Sequence, residues 1–252
     1  NKILAPFAKK ITVSFEKSLN DFPREKTVLT GNPVREIIFK GNKERLVKKL
    51  NLESNLPVLL VLGGGTGAQK INELIWQILP ELTKFCQVIH LTGRGKLEIR
   101  NCPPRLDDPL RPRENEASES RPGKLEIKRR YHSYEFLTTE IADAYAVADL
   151  VITRAGMNVL TELAVLGKPT IIIPIPDSHQ EANARYFQDK NAAVVLNQKE
   201  LTNEKFINEI KELINDQGKK NQLSENIKKI VPNNATEKMV KEILIFSKFS
   251  NY

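Results

Sequence analysis

Short apolar runs rich in β-branched residues recur at residues 11–15, 58–62, 88–91, 150–153, 170–175 and 193–196. Their length and continuity predict strands buried on both faces. Between them the period changes to that of a helix: Ile71, Leu74, Ile75, Ile78 and Leu79 fall at i, i+3, i+4, i+7 and i+8. Strand–helix alternation of this kind predicts an α/β fold, a doubly wound parallel sheet. After Thr202 the strand-like runs stop, and charged amphipathic helical sequence closes the fold.

Residues 97–124 break the pattern, with Pro103, Pro104, Pro109, Pro112 and Pro122 set among Arg, Asp, Glu and Ser. This reads as a solvated loop insertion. A binding lid, or an anion contact through Arg105, Arg111, Arg113 and Arg121, is the other reading of the same residues.

With 40% hydrophobic and 28% charged residues in 252, the chain can bury a core and is neither disordered nor collagenous. Two cysteines, Cys86 and Cys102, exclude a disulfide framework and point to a reducing, cytoplasmic setting. No apolar run approaches the ~18 residues of a membrane-spanning helix. Asn1 at the start and Lys9-Lys10 in the first apolar stretch argue against a signal peptide, and the chain is expected to begin inside a longer protein. Lys+Arg 39 against Asp+Glu 31 gives +8. Such a surplus favours anionic partners, among them nucleotides, nucleic acid and acidic membrane surfaces, or simply a basic solvated surface.

Three segments carry chemistry. The run 58–62 leads into Gly63-Gly64-Gly65-Thr66-Gly67-Ala68 and then directly into the amphipathic helix. Glycines let a ligand approach the backbone, and the free N–H groups of a helix N-terminus favour a phosphate; a tight turn needing positive φ accounts for the same glycines. Gly63-x-Gly65-x-x-Ala68 also satisfies a dinucleotide fingerprint. The next strand, however, ends in Thr92-Gly93-Arg94, without the acid an NAD ribose needs; Arg94 leaves NADP open.

The second segment, Arg154-Ala155-Gly156-Met157-Asn158, opens a helix that Gly167 caps and Pro169 cannot continue. A diphosphate on the N–H groups of Met157, Asn158 and Val159 would put Glu162 about one turn further along, where its carboxylate could accept two ribose hydroxyl protons. An ordinary exposed helix carboxylate is the plainer reading. In the third segment, Ser178 and Glu181 make a capping box, which gathers His179, Gln180 and Asn183 at a helix start. Gln180 and Asn183 can serve sugar hydroxyls or tie down the proline-rich turn before them.

Together these segments resemble the C-terminal half of the MurG-type undecaprenyl-diphosphate-muramoylpentapeptide N-acetylglucosaminyltransferases. The resemblance runs through Gly31-Asn32-Pro33-Val34-Arg35, residues 63–69, Ala144-Tyr145-Ala146-Val147-Ala148-Asp149, Arg154-Ala155-Gly156, residues 162–169, His179-Gln180 and Asn183-Ala184. It implies a Rossmann-like domain of the GT-B type with helices on both faces. It further implies no metal or cofactor, and inverting transfer of GlcNAc from UDP-GlcNAc to a lipid-linked muramoylpentapeptide in peptidoglycan synthesis, with the enzyme peripheral on the inner face of the plasma membrane and no nucleic-acid partner.

Carried over by match, the resemblance puts Arg35, Gly65 and Thr66 near the nucleotide sugar and the Leu137 backbone on uracil. It puts Met157, Asn158 and Val159 on the diphosphate, with Leu160 and Thr161 in the same site. Glu162 falls on the ribose, and His179 with Gln180 on the GlcNAc hydroxyls. Residues 1–35 correspond to the end of an acceptor-side domain with its linker, and residues 36–252 to the nucleotide-sugar-binding domain. The family usually has Ser and Gln where this chain has Gly65 and Thr66, its loop at 97–124 is shorter, and its acceptor-side domain is longer. His90, His132 and His179 match no catalytic base, so no catalytic residue is nominated. The other readings are a nucleotide-sugar-binding subunit of a two-chain glycosyltransferase, a related lipid glycosyltransferase with another acceptor, and a nicotinamide oxidoreductase.

Overall fold

The computed structural model describes residues 3–63, 68–95, 122–232 and 234–249. Two short strands, β1 (Ile11–Val13) and β2 (Thr27–Leu29), form a parallel pair of their own. The main sheet contains β3 (Val58–Leu62), β4 (Gln87–Leu91), β5 (Tyr131–Tyr134), β6 (Leu150–Thr153), β7 (Thr170–Ile172) and β8 (Val194–Val195). All six run parallel in the order β5-β4-β3-β6-β7-β8. The order reverses between β3 and β6, and in open parallel sheets the ligand crevice lies at that point, beyond the carboxyl ends of the strands.

The helices are α1 (Lys43–Leu50), α2 (Ala68–Leu82), α3 (Pro122–Arg130), α4 (Ile141–Val147), α5 (Met157–Leu166), α6 (His179–Asp189), α7 (Asn203–Asn215), α8 (Gln217–Lys228) and α9 (Ala235–Phe249). They cover both faces of the sheet, and the parity of the strand residues shows how. Leu60, Leu62, Val151 and Ile172 join one buried cluster with Leu160 and Leu163 of α5. Leu59, Val61, Leu150, Ile152 and Ile171 join the other with Ile71 and Ile75 of α2 and Phe206 and Ile210 of α7. Successive residues point to opposite faces, so a strand apolar at every position is what a sheet covered twice requires.

Some boundaries differ from the sequence expectation. The strand at 11–15 ends at Val13 and pairs with β2 rather than joining the main sheet. The one at 170–175 ends at Ile172, because Pro174 and Pro176 have no N–H to offer a ladder. Residues 122–124 belong to α3 rather than to a loop; Pro122 stands at its first position, where a missing N–H costs nothing. The rest of the expected insertion, residues 97–121, lies outside the described residues. Among the described residues no helix is long and apolar enough to cross a membrane.

A polar chain, buried at Asn72 and His90 and half-buried at Trp76 and Tyr131, ties α2 to the sheet edge. Trp76 Nε1–H donates to the Tyr131 hydroxyl at 2.9 Å, and Asn72 Nδ2 donates to the Thr92 carbonyl at 2.9 Å. That orientation turns Asn72 Oδ1 toward His90 Nε2, 2.9 Å away, so Nε2 carries the proton and Nδ1 accepts from Tyr131 at 3.0 Å. His90 is fully buried, and desolvation pushes its pKa from 6.5 down to about 3. The unfolded chain therefore binds a proton that the folded chain refuses. Stability is complete above pH 6.5 and falls as the pH drops toward 3, by about 1.4 kcal/mol per unit. Burial lowers His132 as well, in the same direction. Urea unfolding at pH 7.5, 6.5 and 5.5 should show the midpoint falling over the last interval, where carboxylates are still ionised, and His90→Gln should flatten that fall. An equal slope in the variant contradicts the assignment.

Candidate functional site

Two segments lead out of the strands at the reversal point, the one after β3 and the turn after β6. Of the first, Gly65 and Thr66 lie outside the described residues, as do Arg105, Arg111, Arg113 and Arg121. The second is Arg154-Ala155-Gly156, and it is held from several sides. Arg154 is buried; its Nη1 donates to the carbonyls of Ile173 at 3.0 Å and Pro174 at 3.2 Å, and its Nη2 to Gln198 Oε1 at 2.7 Å. Ala155 N–H donates to Gln180 Oε1 at 3.1 Å, and Asn183 Nδ2 donates to the Ala155 carbonyl at 3.0 Å. The start of α6 thus braces the start of α5.

Ser178 caps α6 at the expected position, but its hydroxyl accepts from Gln180 N–H at 3.2 Å, and Glu181 N–H goes to the Ser178 carbonyl at 3.1 Å rather than to the hydroxyl as in a capping box. Gln180 Oε1 also accepts from Ile175 N–H at 3.3 Å, so tying down the turn is one task these residues perform. His179 is exposed at the first position of α6.

Gly156 is the informative residue. Its φ of −73° is open to any residue, and among the described residues a Cβ built there would meet nothing within 4 Å. Among the described residues neither conformation nor packing asks for glycine, which is the arrangement a close approach to the backbone requires. Gly156 is also the N-cap of α5 and supplies no side-chain cap to the helix, so the positive end of its dipole faces the crevice without one. Met157, Asn158 and Val159 form that first turn, as expected. Leu160 turns into the core and its N–H donates to the Gly156 carbonyl at 3.0 Å, while the Thr161 hydroxyl donates to the Met157 carbonyl at 2.8 Å. Gly167, at φ +65°, ends the helix as the sequence implies.

Glu162 is not an exposed helix carboxylate. It is buried, and Arg35 grips both of its oxygens, Nε to Oε1 at 2.8 Å and Nη2 to Oε2 at 3.1 Å. The hydroxyl of Tyr145, 2% exposed on α4, donates to Oε2 at 2.8 Å. Burial beside this carboxylate pushes the Tyr145 hydroxyl pKa up, and the hydrogen bond to Glu162 raises that of Arg35. Asn32 Nδ2 donates to Asn158 Oδ1 at 3.1 Å and to Thr161 Oγ1 at 3.4 Å. The segment 31–35 is thereby clasped to the first turns of α5.

Leu137 lies in the turn after β5, half-buried against the same cluster that Met157 and Val159 flank. Thr92 and Gly93 N–H donate to the carbonyls of Tyr134 and Glu135 at 2.8 and 3.0 Å, joining the ends of β4 and β5. The Arg94 guanidinium lies 5.5 Å from the centre of the Phe136 ring. His90 is fully buried and locked between Asn72 and Tyr131. Sequence reasoning gave no role to Tyr145 or Asn32. The available signal was a tyrosine among alanines on a helix, since a buried hydroxyl needs a partner.

Residues 58–243 match the model of the glycosyltransferase family 28 C-terminal domain. A UDP-N-acetylglucosamine–N-acetylmuramyl-(pentapeptide) pyrophosphoryl-undecaprenol N-acetylglucosamine transferase of Lachnoclostridium phytofermentans is 35% identical over 221 residues, 86% of this chain and 56% of the relative. One of the same name from Clostridium perfringens is 36% identical over 217 residues, 84% of this chain and 54% of the relative. The chain thus spans about half the length of the curated relatives it matches. Among solved structures, Acinetobacter baumannii MurG aligns with a TM-score of 0.65 and 23% identity over 97% of this chain and 62% of its own. The Staphylococcus aureus MnaA–UDP co-structure aligns with a TM-score of 0.67 and 13% identity over 98% of this chain and 63% of its own, a likeness of fold. With three quarters of its length matched by the family model and its glycine-led α5 at the sheet's reversal point, the chain belongs to the glycosyltransferase family 28 C-terminal domain family.

Proposed function

We propose that this chain is the donor-binding half of an inverting glycosyltransferase that moves GlcNAc from UDP-GlcNAc to a lipid-linked muramoylpentapeptide. The observation that carries this reading is the uncapped N-terminus of α5 at Gly156, with open space where a Cβ would stand and the Glu162 carboxylate a turn and a half along. The diphosphate sits on the N–H groups of Met157, Asn158 and Val159, the uracil against the backbone of Leu137, and the ribose diol on Glu162. His179 and Gln180 face the sugar, with Gly65 and Thr66 completing the phosphate side.

In transfer, the acceptor's C4 hydroxyl attacks the anomeric carbon and yields its proton to a base on the acceptor side, the C1–O bond to the diphosphate breaks, and UDP departs with the bonding pair. Charge develops on the departing diphosphate, where the dipole of α5 and its N–H groups are already aimed. Acceptor binding and activation belong to an acceptor-side domain whose end is residues 1–35. The exposed Ile3, Leu4 and Phe7, together with Val240, Ile243 and Leu244 on α9, supply apolar surface for such a domain to cover.

Isothermal titration of the folded chain should show saturable binding of UDP and UDP-GlcNAc, weaker binding of UDP-glucose and no heat with NADPH. Tighter binding of NADPH than of UDP, or no binding of any of the four, contradicts the reading.

A further inference from the structure

Glu162 already has three donors in this structure: Arg35 Nε on Oε1, Arg35 Nη2 on Oε2 and the Tyr145 hydroxyl on Oε2. An ionised carboxylate offers about four lone-pair sites in all, two on each oxygen. Oε2 is therefore full and Oε1 has one site left. A cis-diol held in bidentate fashion needs one site on each oxygen, so it cannot be added to the present arrangement; one donor has to leave.

The two candidates differ in what leaving would strand. Tyr145 is 2% exposed, and without Glu162 its hydroxyl would sit buried and unpaired. Arg35 has 56% of its side chain exposed, so its head can turn into water. A buried unpaired polar group is the more expensive loss. Arg35 yields and Tyr145 stays.

Arg35 does not act alone. Asn32 is bonded to Asn158 and Thr161 on the same helix, and the N–H groups of Thr30 and Gly31 both donate to the Val13 carbonyl at 3.2 Å. The clasped segment is thus continuous with the β1–β2 pair. From this geometry, and resting on the assignment of the ribose to Glu162, we propose that Arg35 is a latch that competes with the ribose diol for Glu162. Nucleoside binding then releases the grip of segment 31–35 on α5, and Tyr145 is the positioning residue that holds the carboxylate through the exchange. Coupling of this kind is reciprocal: whatever the latch contributes to clasping the segment is subtracted from nucleoside affinity.

The test uses the whole chain with uridine and 2′,3′-dideoxyuridine, which lack phosphates and so exclude any pairing of Arg35 with a phosphate group. Arg35→Met should bind uridine about fivefold more tightly than the unaltered chain, the scale of a partly exposed ion pair, and bind dideoxyuridine equally. Tyr145→Phe should lose uridine affinity and leave dideoxyuridine unchanged, which a general loosening of the fold would not do. If Tyr145→Phe does not fold, the Arg35→Met comparison decides. Uridine binding no tighter in Arg35→Met, while the unaltered chain still prefers uridine to dideoxyuridine, overturns the latch and leaves the ribose assignment standing. No preference for uridine in the unaltered chain, with Glu162→Gln also without effect, overturns both.

Discussion

Glu162→Gln should lower the affinity of the chain for UDP by about tenfold, because hydrogen bonds to a charged acceptor contribute roughly 1.5–3 kcal/mol against 0.5–1.5 for neutral ones. Gln keeps the length and volume of the side chain, so the packing of α5 is preserved. It removes the charge, and it replaces one of the two acceptor oxygens with a donor that cannot receive a ribose hydroxyl. Part of the loss is returned, since Arg35 also grips the neutral amide less firmly. The variant should remain folded because Tyr145 still finds an acceptor in the Gln oxygen. Isothermal titration checks the expectation, and unchanged UDP affinity in a folded variant contradicts the ribose assignment.

The largest effect on stability is expected at Arg154. Its guanidinium is buried where β7 ends, and it satisfies the carbonyls of Ile173 and Pro174 as well as Gln198 Oε1. Arg154→Met fills similar volume and leaves those acceptors without that donor. At roughly 1–3 kcal/mol for each stranded group, the loss is about 3 kcal/mol, a sizeable part of the 5–15 kcal/mol that stabilises an ordinary domain. The midpoint of thermal unfolding should fall by about 10 °C. Arg154→Lys should recover only part of this, because a single ammonium does not span the acceptors as the planar fork does. UDP affinity should fall with stability, since the same residue anchors the turn that presents Gly156. A thermal midpoint within 2 °C of the unaltered chain, or about that, would contradict this account.

What the sequence disclosed and what it hid follow from the range of the interactions. β3 and β6 are legible to the residue because a strand buried on both faces is apolar at every position. β5 has no such run: Tyr131–Tyr134 is an edge strand, half-buried throughout, and its place depends on pairing with β4. β2 is three residues long, and among the described residues its only strand partner is β1. Helix arithmetic located Glu162 relative to the first turn of α5, because both belong to one helix. It could not show that Arg35, 127 positions away, grips that carboxylate, or that Tyr145 shares it from α4. Glycines were legible as a class but not by cause: Gly167 is required by its φ of +65°, whereas Gly156 has an ordinary φ and open space before it.

The central claim is that the diphosphate of a uridine nucleotide rests on the first turn of α5. Amide resonances of the isotope-labelled chain followed during titration with UDP test it most directly. The account predicts that Met157, Asn158 and Val159 shift most, with Gly156 and the turn at Leu137 following, and that inorganic phosphate alone moves the α5 amides but not Leu137. Saturable UDP binding that leaves the α5 amides in place and perturbs another face of the sheet would contradict it.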